Sequence, residues 1–187
     1  MVEAFVKISE ELLRNYPGIE IYDLKVSKLR NDYYIQIELD NLHHPLGAVS
    51  IDVCESFSKK FIEVLDEKII HANGDQANHD ELLPYDLQID NYTLEVSSAG
   101  AERELKLPRD LERFKQYPMK VYHKSDSTEN SMYQEKILKY VSQDEENFVF
   151  SLYIPKKERK LKKKKANLEN YIIPKKDIIK INLYLDV

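Results

Sequence analysis

From Tyr33 to Asp40 the chain reads YYIQIELD, with Tyr33, Ile35, Ile37 and Leu39 alternating against Tyr34, Gln36, Glu38 and Asp40. A period of two puts every second side chain on one face of an extended strand. The stretch therefore predicts a β-strand with one side in a core and the other in solvent. Asn31-Asp32 ahead of it reads as a turn, and before the turn Tyr22, Leu24 and Val26 alternate in the same way. Two alternating runs around a short turn predict a hairpin.

On either side of the hairpin the period changes to three and four. Val2, Phe5, Ile8, Leu12 and Tyr16 predict an amphipathic helix over residues 2–16, stopped by Pro17-Gly18. Ser50 reads as an N-cap, with Asp52 and Glu55 in the first turn where the helix dipole favours acids. Val53, Phe57, Phe61 and Val64 carry this second helix to about residue 68. Residues 71–91 are polar and rich in turn formers, and predict a long loop. Tyr92, Leu94 and Val96 give a third strand. Residues 1–98 thus read α-β-β-α-β, an α/β domain with helices on one sheet face.

After Gly100 the chain is nearly all strand. PRDLERFK (108–115) predicts one short helix anchored by Leu111 and Phe114. MKVYHK, MYQEKILKYVS, ENFVFSLYI, ENYIIP and IIKINLYL follow, separated by polar loops, with one tight helical turn at Pro174–Asp177. Five short strands with turn signals predict a small β-barrel. The expected fold class is α+β, with an N-terminal α/β domain over residues 1–104 and a C-terminal barrel domain over 105–187.

The chain has 187 residues, 42% hydrophobic and 33% charged, which excludes chain-wide disorder. No apolar run approaches the roughly 18 residues of a membrane span. Glu3, Glu10 and Glu11 interrupt the apolar pattern of the N-terminus, unlike a signal peptide. The single Cys54 excludes an intrachain disulfide framework. A soluble, cytoplasmic protein is the expectation. Residues 155–180 hold eleven Lys or Arg against three acids, net +8, so the rest of a chain of net −5 carries −13. That asymmetry points to a polyanion at the basic end and suits a basic protein partner elsewhere.

The sharpest local signal is the basic stretch Lys156, Lys157, Arg159, Lys160, Lys162, Lys163, Lys164 and Lys165. Its charge suits RNA phosphates, where each neutralised phosphate releases counterions. A solvated loop and attraction to anionic lipid compete with that reading, although no apolar anchor flanks the run. The glycines at 18, 47, 74 and 100 form neither a G-x-x-G loop nor a phosphate-binding loop, so neither sequence-specific RNA reading nor a nucleotide cofactor is expected. Catalytic chemistry finds little support. Ser97 and Ser98 lack the G-x-S-x-G frame of a nucleophile elbow. Gly100 is expected to supply a positive φ, and the serine hydroxyls to bond local backbone where a strand ends. Arg103 is expected to pair with Glu95 or another acid. His71, Asp75, His79 and Asp80 have metal-binding chemistry but no helical site spacing. Cys54 reads as a buried structural thiol. No catalytic residue, metal or cofactor is expected.

Residues 95–106, EVSSAGAERELK, resemble the signature of the ribosome maturation factor RimP family, roughly E-V-S-S-P-G-x-x-R-x-L. The matching positions are Glu95, Val96, Ser97, Ser98, Gly100, Arg103 and Leu105. S-I-D-V-C-E at 50–55 and the F-x-x-Y-P-M-K-V entry at 114–121 support it. The resemblance implies an N-terminal α/β domain, a C-terminal Sm/SH3-like barrel, and a motif forming the joint between them. It implies a cytoplasmic, monomeric protein without catalysis. That protein binds the free small ribosomal subunit, through a ribosomal protein and rRNA and with no membrane, and helps it mature. Ala99 and Glu104 stand where the family pattern often has proline, the 71–91 loop is long, and the lysine run lies outside the motif. A general RNA-binding module and a small metal-dependent hydrolase using the 71–91 loop remain as alternative readings.

Overall fold

The computed structural model describes residues 2–74, 83–124, 133–159 and 170–186. The chain divides into two compact units, 1–100 and 101–187. Each has its own hydrophobic core. By sequence the first carries a net charge of −11 and the second +6.

The first unit contains α1 (Val2–Leu13), β1 (Ile19–Leu29), β2 (Asp32–Asn41), α2 (Ile51–Gly74) and β3 (Tyr92–Ser98). Its sheet has the order β1-β2-β3. β1 and β2 form the predicted antiparallel hairpin, turned at Arg30 with φ 58°. β2 and β3 run parallel, which requires a long connection, and α2 supplies it. Tyr33, Ile35, Ile37 and Leu39 of the central strand are all buried. They pack against Phe5, Ile8 and Leu12 of α1 and Phe57, Phe61 and Leu65 of α2. The period-two and period-3.6 signals therefore meet in one core. Tyr16 extends it just beyond α1, edge-on to Phe57 at 5.7 Å, its hydroxyl 2.9 Å from Ser56 Oγ.

Four details differ from the sequence reading, the first being that α1 ends at Leu13, short of the expected residue 16. A bulge between Ile21 and Asp23 takes Tyr22 out of the alternation, so Ile19 and Ile21 pack on the same core as Leu24 and Val26. The second helix continues to Gly74, past the predicted end near residue 68. The described end of the 71–91 segment is not simply solvated: Leu83 and Leu87 are buried in the core. Asp86 accepts hydrogen bonds from Lys28 and from the Tyr33 hydroxyl. Apolar residues spaced four apart outweigh the polar character of their neighbours.

The second unit contains α3 (Arg109–Arg113), β4 (Pro118–Lys124), β5 (Tyr133–Gln143), β6 (Asn147–Leu152), α4 (Lys156–Arg159), β7 (Asn170–Pro174), a 3-10 turn (Lys175–Asp177) and β8 (Ile178–Leu183). The strands form an antiparallel sheet of order β7-β6-β5-β4-β8. Among the described residues no ladder joins β7 to β8. Leu111 and Phe114 are fully buried, as their spacing predicts, with Met119, Val121, Leu138, Phe150, Ile181 and Leu183. The Asp110 carboxylate, also fully buried, accepts the Lys106 amide at 2.9 Å and Arg109 Nε at 3.0 Å, which offsets the cost of burying its charge.

Candidate functional site

The strand pleat splits the motif between two faces. Glu95 and Ser97 lie opposite Gln36 and Glu38 of β2, and Gln36 Nε2 donates to Glu95 Oε2 at 3.2 Å. With Asp23 and Lys25 of β1 they line a shallow groove on the face away from the helices. Three carboxylates against one ammonium make that groove acidic. Ser98 has a different task. Its Oγ accepts the Val49 amide at 3.0 Å, and the next amide, of Ala99, donates to Leu39 O at 2.8 Å. The serine bonds backbone, as expected, but 49 residues away, pinning the chain that leads into α2 to the end of β3.

The glycine reading is corrected. Gly18 (φ 80°) and Gly47 (φ 71°) adopt positive φ, and Gly100 does not. A Cβ built on Gly100 has nothing within 4 Å. Neither strain nor crowding requires glycine there. Beyond it, Arg103 O accepts the Leu183 amide at 3.0 Å and the Leu105 amide donates to Ile181 O at 2.7 Å. Arg103 is buried, its guanidinium 5.6 Å over the Phe114 ring, and Leu105 sits in the second core. These two motif residues tie the chain to β8.

A catalytic reading gains nothing from the geometry. The Ser98 hydroxyl is engaged by backbone groups. Among the described residues no three or more His, Cys, Asp or Glu side chains are grouped to hold a metal ion. His71 lies in α2, while Asp75, His79 and Asp80 fall outside the described residues. His44 Nδ1 accepts the Leu46 and Ala48 amides at 3.2 and 3.0 Å, a turn-forming role. Cys54 is buried, and burial pushes its thiol pKa up, away from the reactive thiolate.

The basic stretch begins in α4. Lys156 is tied to the end of the chain: its amide reaches the Asp186 carboxylate at 3.1 Å and its ammonium donates to Asp186 O at 2.7 Å. Tyr153 donates to the same carboxylate at 2.6 Å. Lys157 is exposed, and Arg159 ends the helix. Lys160 and Lys162 to Lys165 fall outside the described residues. Lys180 belongs to the basic end at 155–180, while Lys120 and Lys139 lie outside it, and none of the three falls in the lysine run. Their signal is the alternation itself, because each stands next to buried strand positions.

A family model for the RimP N-terminal domain matches residues 10–102, and a domain of unknown function matches residues 104–184. A ribosome maturation factor RimP of Leptospira interrogans is 37% identical over 169 residues, covering 90% of this chain and 88% of the relative. The chain belongs to the ribosome maturation factor RimP family. A second member, from Leptospira biflexa, is 31% identical over 188 residues, the full length of both chains. Family membership thus covers the acidic sheet face, the Ser98 clasp and the β-rich unit together. No helix among the described residues is long and apolar enough to cross a membrane.

Proposed function

We propose that this protein is a ribosome maturation factor that binds the free small ribosomal subunit and assists its assembly by binding, without catalysis. The observation that carries this reading is the 37% identity to a protein named ribosome maturation factor along 90% of the chain. The five-stranded sheet is the core of a small Sm/SH3-like barrel that docks a ribosomal protein. Lysines of the same unit, net +6, hold rRNA phosphates. The first unit, net −11, turns phosphate away and receives basic protein segments. The motif is the joint between the two domains. The protein acts as a monomer in the cytoplasm.

The mechanism is a population shift. A factor favours a maturing conformation of the subunit only if it binds that conformation more tightly than the alternatives. The test is depletion of the protein from its own cells. The expected result is an excess of free, incompletely processed small subunits over assembled ribosomes. Normal particle profiles and fully processed small-subunit rRNA would contradict the reading.

A further inference from the structure

The face of β4, β5 and β8 that points away from the second core carries an ordered array of charge. Met119, Val121, Leu138, Ile181 and Leu183 are buried, so the residues between them take the opposite face. The strand register fixes their positions. Lys139 of β5 lies opposite Pro118 of β4, Lys120 of β4 lies between Ile137 and Asn182, and Lys180 of β8 lies opposite Tyr122. Lys139, Lys120 and Lys180 therefore form one straight diagonal across three adjacent strands. Diagonal neighbours in a sheet stand roughly 7–8 Å apart, enough for each ammonium to meet a different anionic group.

Two tyrosines flank the diagonal and order two of its three lysines. Lys180 Nζ sits 4.9 Å from the Tyr122 ring centroid, and Lys120 Nζ 5.9 Å from that of Tyr184. Each contact holds a long, flexible side chain over a ring face without neutralising its charge. Two acids lie beside the array among the described residues, and neither is on the diagonal: Glu135, 3.7 Å from Lys120, and Glu104, bridged to Asn182 of β8, so the three lysines still outnumber them. A net positive line with ordered ammonium groups is complementary to an extended polyanion.

We propose that the Lys139–Lys120–Lys180 diagonal is a binding track for the phosphate backbone of a single-stranded RNA segment, independent of sequence. The proposal rests on the reading of the chain as a factor for a ribosomal particle, and it places RNA contact on a rigid sheet face as well as on the lysine run after α4. Contacts from ammonium groups to phosphate position a strand without carrying sequence information, so the track holds backbone whatever the bases.

The test uses the full-length protein and a fluorescently labelled 16-nucleotide oligouridylate, with affinity measured across a salt series. Lys120→Gln, Lys139→Gln and Lys180→Gln are combined in one variant. Each phosphate contact on a single strand contributes about 0.7 to the slope of log affinity against log salt, so the slope should fall by about two. Affinity at low salt should fall about tenfold or more. The corresponding triple Lys→Arg variant keeps the charge and should bind like the parent. A Gln control at Lys25, Lys59 and Lys60 of the first unit should leave the slope unchanged. An unchanged slope in a folded triple Gln variant overturns the proposal. If that variant melts early, the Arg variant decides, since loss of binding with charge retained is also contrary. Equal competition by polyglutamate at matched charge would overturn RNA in favour of an acidic protein. Parallel sedimentation of the parent with free small subunits separates the two claims. Particle binding without a slope change fails the track alone, whereas no particle binding fails the ribosomal reading.

Discussion

Ser98 and Gly100 stand two positions apart in one motif, and the structure gives them opposite standing. The Ser98 hydroxyl satisfies a part-buried amide at 3.0 Å. Ser98→Ala leaves the Val49 N–H without that acceptor and should cost about 1–2 kcal/mol in chemical denaturation, with an unchanged denaturant slope. Gly100→Ala should be neutral, or stabilising by up to about 1 kcal/mol, because it restricts only the unfolded chain. Gly18→Ala is the contrasting case. Its φ of 80° is strained for any L side chain, and a Cβ would lie 2.2 Å from His43 Cδ2. It should lower stability by about 1–2 kcal/mol. Thermal melts of the two alanine variants, measured side by side, check this pair. The sequence made the bonding character of Ser98 legible, since a hydroxyl at a strand end seeks backbone. It could not show that the partner is 49 residues away, nor which glycines carry positive φ, because backbone dihedrals follow from the path of the whole loop.

At the scale of elements, α2 and β3 are joined by a hydrogen bond from the Tyr92 hydroxyl to Asp66 Oδ1 at 2.7 Å. Burial, reinforced by the neighbouring carboxylate, raises the Tyr92 pKa well above its ordinary value of 10. The sign follows directly. The folded state favours the neutral phenol, so this contribution is complete below pH 10 and is lost as the pH rises above it. Tyr92→Phe should cost about 1 kcal/mol at pH 7 and flatten the fall in stability above pH 10, measured by denaturation at pH 7, 9 and 11. The elements themselves were largely legible. Both helices, the hairpin, the third strand and all five later strands follow from periodicity, since burying one face imposes the period. The Tyr22 bulge, the extra turns of α2 and the burial of Leu83 and Leu87 were not. Each depends on what the segment packs against, which local pattern does not encode.

At the scale of the molecule, the two separate hydrophobic cores predict that each unit folds on its own. Residues 103 and 105 pair with β8, and Leu105 is buried in the second core. A fragment of residues 101–187 should therefore fold, and one of 106–187 should be less stable by about 2–4 kcal/mol. Loss of two ladder bonds and a buried leucine sets that range. Circular dichroism melts of both fragments decide it. The charge asymmetry was legible from the distribution of charge along the sequence. The diagonal of Lys139, Lys120 and Lys180 was not, because it exists only once the strand order β5-β4-β8 and its register are fixed.

The most direct test of the central claim is co-sedimentation of the purified protein with free small subunits, free large subunits and whole ribosomes over a salt series. The parent is compared with a variant neutralised at Lys160 and Lys162 to Lys165. Selective, salt-sensitive binding to free small subunits, with a flatter salt slope in the variant, is the predicted result. Equal binding to every particle, or none at low salt, would contradict the assignment of this family member to the maturing small subunit.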